Sequence, residues 1–213
     1  MSKNTNILQI NTSLFAGNGQ STALANEFVQ ALREQNAGSR VTVRDLATEP
    51  VPHLDGERFG AFITKAEDRT AAQADVIAYS DRLVAELQRA DVIVIGAPMY
   101  NFGIPSQLKS YFDHVARAGI TFRYTANGPE GLLKNKKAYV ISTRGGIHAG
   151  QPSDTETHYL RDFLRFIGIA DVEFVYAEGI AISAESKQAA LDAARAELQR
   201  LARTAVPAQA LAA

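Results

Sequence analysis

Apolar residues fall into two rhythms along this chain, and the rhythms alternate. Short runs at residues 6–11 (NILQIN), 40–46 (RVTVRDL), 91–97 (DVIVIGA), 137–143 (KAYVIST) and 171–179 (DVEFVYAEG) read as strands. The third is apolar at consecutive positions, as a central parallel strand buried on both faces must be. Between the runs lie stretches with helical spacing, at residues 22–35, 71–90, 106–116, 155–168 and 184–202. In the first of these Leu24, Phe28, Ala31 and Leu32 share one face, and Ser21 or Thr22 is the expected cap. Gly168 is the expected stop of the fourth. A loop with Pro50, Pro52 and Gly56 follows the second strand, and residues 119–136 break the rhythm as an irregular section.

Strands alternating with helices predict an α/β fold: a doubly wound, five-stranded parallel sheet with helices on both faces. The strand order that fits is 2-1-3-4-5, with its switch point between strands 1 and 3. Ligands bind outside the carboxyl ends of strands at such a point. The loops after strands 1, 3 and 4 are therefore the candidate site.

The first of these loops, residues 11–22 (NTSLFAGNGQST), offers Thr12, Ser13, Asn18, Gln20, Ser21 and Thr22 and opens the first helix. Free N–H groups and the positive dipole end of a helix suit an anion. The loop has neither GxGxxG nor GxxxxGK[ST], which argues against a Rossmann-bound dinucleotide and a P-loop nucleotide. No Lys or Arg lies between Lys3 and Arg33. A phosphate here is held by hydroxyls, amides and the dipole, which suits a bound monophosphate and not phosphoryl transfer. An ordinary βα turn with its cap uses the same residues.

The loop after strand 3 carries Met99, Tyr100, Asn101 and Phe102. Met99 and the two aromatics offer a flat, polarizable wall, and Asn101 a donor and an acceptor for a heterocycle edge. Gly103 and Pro105 shape the turn into the next helix. Aromatic core packing beneath a loop is the bland alternative. In the loop after strand 4, STRGGIHAG, Gly145 and Gly146 permit close approach of backbone to a planar ligand. Arg144 is expected to meet an electron-rich ring edge, and Thr143 and His148 to hydrogen-bond. A merely flexible loop is the alternative. Together the three loops describe a pocket for a phosphorylated, planar, hydrogen-bonding ligand, which FMN satisfies.

Composition narrows the field further. The 213 residues suffice for a single domain, with 46% hydrophobic and 21% charged residues and a formal net charge of −1. That balance argues against nucleic acid and against a charge-docking electron carrier. With no Cys, thiolate metal sites, disulfides and a Cys nucleophile are excluded. His53, His114, His148 and His158 have no metal-ligand spacing, and no metal is expected. No apolar run approaches the ~20 residues of a spanning helix. The start has no signal-peptide pattern, so a cytoplasmic protein is expected. The Ala-rich tail from about residue 204 is expected to fray.

The segments APMYNF (97–102), GITFRYT (119–125), NGPEGL (127–132) and RGGIH (144–148) resemble the FMN-dependent NADH-azoreductase family, flavodoxin-like homodimers related to the NAD(P)H–quinone reductases. TVRDLA and the FIGI…AEGIA region match as well, so the likeness spans residues 7 to about 202. It implies bound FMN, NADH or NADPH as donor, azo or quinone acceptors, and ping-pong hydride transfer with no catalytic side chain. It implies that Ser13, Gly19, Gln20 and Ser21 bind the phosphate. It implies that Met99, Tyr100, Asn101 and Phe102, with Thr143, Arg144, Gly145 and Gly146, bind the flavin. Gly19 stands where the family has a hydroxyl residue, and Thr143 where it has Ser.

In the 119–136 section Phe122 and Tyr124 alternate with Arg123 and share a face if extended. With Phe163 they are candidates for a substrate-pocket wall at a dimer interface, or for plain packing. Two rival readings stand beside the enzyme: an FMN electron carrier, and a phosphate-sensing module. The second would want an acidic cluster at the strand ends. Here strand 1 ends in Asn11-Thr12 and strand 3 in Ala97-Pro98.

Overall fold

The computed structural model describes residues 4–205. In chain order the elements are β1 (Asn6–Asn11), α1 (Gln20–Gln35), β2 (Arg40–Asp45), α2 (Gly56–Ile63), α3 (Ala71–Arg89), β3 (Val92–Pro98) and α4 (Ser106–Val115). They continue with β4 (Phe122–Thr125), β5 (Gly128–Gly131), β6 (Lys137–Thr143), α5 (Thr155–Phe166), β7 (Asp171–Ala177) and α6 (Ala184–Thr204). Five strands form a parallel sheet in the order β2-β1-β3-β6-β7. Counting only these strands, that is the expected order 2-1-3-4-5. The switch lies at β1, whose neighbours are β2 and β3.

Alternate residues of the central strands enter two separate cores. Leu8, Ile10, Ile93, Ile95 and Val140 pack with Leu83, Leu87, Leu108, Phe112, Leu160 and Leu164 of α3, α4 and α5. Ile7, Val94, Tyr139, Ile141 and Val175 pack with Leu24, Phe28, Leu191 and Leu198 of α1 and α6. Burying both side-chain sets of β3 explains its unbroken apolar run. The cores anchor the strands, and every strand of the sheet delivers its carboxyl end to one edge.

Three expectations need correction. α1 begins at Gln20, with Gly19 as its N-cap, so Ser21 and Thr22 lie buried inside the first turn rather than capping it. The 50–70 stretch holds a helix, α2, where Asp55 accepts a hydrogen bond from the Arg58 N–H. This helix is only eight residues long, contains two glycines and follows two prolines, which favour a loop, and it leaves Phe59 and Ile63 exposed. The 119–136 section contains a hairpin, β4–β5, paired antiparallel from Phe122↔Gly131 to Thr125↔Gly128.

That hairpin is tied down where two glycines meet. α5 ends at Phe166, and Gly168 follows with φ +106. A Cβ on Gly131 would lie 2.0 Å from the Gly168 nitrogen, so only glycine allows the contact. α6 runs to Thr204, so the chain is still helical where the expected tail begins, and the rest of that tail lies outside the described residues. No helix among the described residues is long and apolar enough to cross a membrane.

Candidate functional site

The start of α1 is an open N-terminus. Gly19 brings no side chain to cap it, and no acidic residue stands in its first turn. Ser21 is fully buried, and its Oγ has no hydrogen-bond partner; Thr22 Oγ1 is in the same state. A buried hydroxyl without a partner costs about 1–3 kcal/mol, so such a pair beside free N–H groups marks a place for an acceptor. Ser13 lies against Gly19 so closely that a Cβ there would sit 2.1 Å from Ser13 Oγ. The glycine therefore makes room for the serine. Ser13 Oγ accepts the Phe15 N–H at 3.2 Å.

The loop after β3 turns sharply. Tyr100 and Gly103 exchange both backbone hydrogen bonds, and Asn101 and Phe102 between them have φ of 50° and 66°. Left-handed backbone at a non-glycine residue is strained, and two in succession are held by their surroundings. Asn101 and Phe102 are exposed, with Met99 and Tyr100 half-buried.

Three contacts sew the loops together. The Leu14 N–H donates to Tyr100 Oη at 3.3 Å, joining the loops after β1 and β3. The Met99 N–H donates to the Thr143 carbonyl at 2.9 Å, joining those after β3 and β6. The Phe102 ring meets the His148 imidazole edge to face at 5.6 Å. Leu14, Phe15, Phe102 and Ile147 stand exposed on these same loops and give the site an apolar rim.

The loop after β6 departs from expectation at Arg144. Its side chain does not reach for a ligand edge. It is 1% exposed and bound to Asp154 (2.9 Å), Glu156 (3.2 Å) and Glu178 (3.1 Å), with its guanidinium 4.8 Å from the Tyr176 ring centre. Its backbone N–H and carbonyl are also taken, by Ala177 and Ile180. Arg144 is thus a positioning residue. A guanidinium buried from water has to be surrounded by acceptors, and β6, α5 and the segment after β7 supply them.

The loop responds to that cluster. Glu178 Oε1 holds Arg144 Nη1 and accepts the backbone N–H groups of His148 and Ala149. Gly145 and Gly146 lie just before this fastening, half-buried and without side chains to block the site. A Cβ on Gly146 would meet His148 Nε2 at 2.8 Å. Burial opposes the charge on Asp154, but hydrogen bonds from Thr157 and Arg144 outweigh it and hold that carboxyl below its usual range. Glu156 behaves oppositely: burial pushes it up to about 7 against the pull of Ser142 and Arg144.

Asp154, Glu156 and Glu178 escaped the sequence reading. Asp154 alone carried a signal, as an Asp three residues before Thr157, whose N–H it caps. The aromatic trio divides. Phe122 and Tyr124 touch at 5.5 Å on one face of the hairpin, and Phe122 packs on Phe166. Phe163 instead stacks on Phe112 at 3.9 Å, and no ring contact joins it to the other two. No cluster of His, Asp or Glu arranged to hold a metal occurs among the described residues.

Residues 5–202 match the model of a family described as having a flavodoxin-like fold. The FMN-dependent NADH:quinone oxidoreductase 6 of Burkholderia lata is 57% identical over 191 residues, covering 90% of this chain and 96% of that protein. The FMN-dependent NADH:quinone oxidoreductase of Cellvibrio japonicus is 54% identical over 194 residues, covering 91% and 96%. Among solved structures, an FMN-dependent NADH-azoreductase from Bacillus anthracis in complex with FMN superposes with a TM-score of 0.86 at 26% identity, covering 94% and 99%. With its strand order and with matches that run almost end to end, this chain belongs to the flavodoxin-like family in which those NADH:quinone oxidoreductases and azoreductases stand.

Proposed function

We propose that this chain is an oxidoreductase that passes electrons from NADH through bound FMN to quinones, with azo compounds as further acceptors. The observation that carries this reading is the open start of α1. Ser21 Oγ is buried without a partner where helix N–H groups are free, beside two loops suited to a flat ring. That fits a ligand with a phosphate at one end and a planar heterocycle at the other, as the names of the relatives imply. FMN, when bound, supplies the hydride-transfer chemistry itself.

The protein's part is to hold and orient. Ser13, Gly19, Gln20 and Ser21 hold the phosphate through hydroxyls and backbone N–H groups, with the helix dipole in place of a cationic side chain. Met99, Tyr100, Asn101 and Phe102 form one wall of the ring site. Thr143, Gly145 and Gly146 form the other, where backbone N–H groups can face developing negative charge. Arg144 shapes that wall from behind. Donor and acceptor take turns at one place in a ping-pong order. NADPH is the alternative donor.

The same reading makes the protein a cytoplasmic homodimer whose two cores lie on the two faces of the sheet. The exposed Tyr124 and its neighbour Phe122 then complete a substrate wall at the interface, together with Phe163. An electron carrier without enzymatic turnover is the weaker reading, since the formal net charge of only −1 gives little overall charge for electrostatic docking.

The test is an anaerobic visible spectrum of the purified protein. A flavin spectrum that bleaches with NADH and returns with a quinone is expected. A colourless protein that takes up no added FMN overturns the reading.

A further inference from the structure

Three carboxylates, Asp154, Glu156 and Glu178, share the single guanidinium of Arg144. Two of them use their charge. Asp154 caps α5, and Glu178 fastens the His148 and Ala149 N–H groups. Glu156 is different. Its Oε2 accepts from Ser142 Oγ at 2.7 Å and from Arg144 Nε, but its Oε1 is buried without any partner. A neutral carboxyl tolerates that position. A carboxylate there has an unsolvated oxygen among like charges, which is costly.

Glu156 also lies between the two loop walls. Ser142, its hydrogen-bond donor, leads directly into residues 143–146. Thr155, its chain neighbour, donates its hydroxyl to the carbonyl of strained Phe102. Glu156 also lines, with Gly103, Ile104 and Tyr159, a solvent-open pocket of about 530 Å³ that can bring water near the side chain.

The charged and titratable groups around Glu156 come from several elements. Arg144 faces it from the end of β6, Asp154 from the cap of α5, and Glu178 and Tyr176 from β7 and the residue after it. Across the cavity Lys109 is paired with Asp113 on α4, and His53 shares a hydrogen bond with Ser110. The cavity side thus offers no unpaired cation to offset a new charge.

We propose that Glu156 is a positioning residue that couples one proton to the shape of the FMN site. Neutral, it keeps the loops at 99–103 and 143–149 together; ionised, it loosens both, so the protein holds FMN more tightly in mild acid than in mild base. Ionisation demands donors for Oε1. Either water enters from the cavity or the side chain swings out, and each displaces Thr155 or Arg144. The inference rests on the function proposed above. The phosphate pulls the other way, since its second ionisation near pH 6 favours the helix end as pH rises. A comparison with Glu156→Gln separates the two, because Gln keeps the neutral shape and cannot ionise.

The experiment dilutes the FMN-loaded protein at a series of pH values from about 5.5 to 8.5 and measures released flavin by its fluorescence. Relative to E156Q, the wild-type dissociation constant for FMN is expected to rise above about pH 7, by up to about tenfold per pH unit. Ser142→Ala removes a donor to the charged form, so the midpoint should move to higher pH. S142A also serves as the test if E156Q fails to fold. Wild-type and E156Q profiles that coincide, or an S142A midpoint that does not move, overturn the proposal. A wild type and an E156Q variant that both hold FMN, with the same pH dependence, leave the proposed function standing and remove only this inference. One that takes up no FMN at any pH removes both.

Discussion

Two helix starts meet the candidate site, and they are built in opposite ways. α1 begins at a glycine, with no side-chain cap, no acidic residue in its first turn and two buried hydroxyls lacking partners. α5 begins at Asp154, which caps Thr157, carries Glu156 in its first turn and closes on the buried Arg144. Both places attract negative charge for the same reason, the free N–H groups of a first turn. At α5 the protein fills the place with its own carboxylates. At α1 it leaves the place open, with neither a side-chain cap nor a carboxylate. The lesson is that a candidate ligand site at a helix end is recognised by what the chain declines to put there.

The strongest way to break the comparison is at the filled end. Arg144→Met leaves three carboxylates without their cation. Removing one partner of a buried charge cluster should cost about 3–5 kcal/mol, read as a lower urea midpoint. The loss should be larger at pH 8 than at pH 5, where protonation relieves the repulsion.

Glu156→Gln sharpens the same point. The folded value of about 7 lies above the ordinary 4.5, so the folded state binds a proton more readily than the unfolded one. That stability is complete below about pH 4.5 and declines as pH rises through 7. E156Q should match the wild type near pH 5 and be more stable near pH 8 by up to about 2–3 kcal/mol, by urea unfolding at both pH values. A constant difference at all pH values would contradict the assignment.

At the open end the effect on stability should be smaller, and opposite in sign to that of R144M. Ser21→Ala removes an orphaned hydroxyl, so the FMN-free protein should be as stable or up to about 1 kcal/mol more stable. FMN affinity should drop about tenfold, the worth of one hydrogen bond to a charged group. Thermal unfolding with and without FMN reads both quantities. A loss of stability in the FMN-free protein would mean that Ser21 serves the fold. The smallest effect is expected for Asp154→Ala. Loss of the cap costs about 1 kcal/mol, and loss of one of three carboxylates crowding Arg144 adds little. Urea unfolding measures it, and a cost as large as that of R144M would refute this division of roles.

Much of this site was legible from spacing. The apolar runs placed the five sheet strands, and alternation with helices placed the loops after β1, β3 and β6 at one edge. The Ser13–Ser21 and Met99–Phe102 segments stand there. Arg144 shows where such reading stops. In STRGGIHAG it looks like a ligand-facing cation, because sequence shows a charge but not its partners. Those partners, Asp154, Glu156 and Glu178, lie up to 34 residues away and come from different elements. Gly19 shows the same limit. Its place against Ser13 depends on the turn of 3₁₀ helix at Ala16–Asn18 that folds the loop back.

The sequence alone determined the strand order, the alternating strand and helix rhythms that fill the cores, and the absence of any cation in the loop after β1. These follow from periodicity and composition, which act locally and at every residue. Only the tertiary structure decided that Ser21 is buried without a partner, that Arg144 points inward, that residues 122–131 form a hairpin held at Gly131 and Gly168, and that Glu156 sits between two loop walls. Each of these depends on where groups distant in the chain finally lie. Burial and pairing, not residue type, set what a hydroxyl or a carboxyl does there.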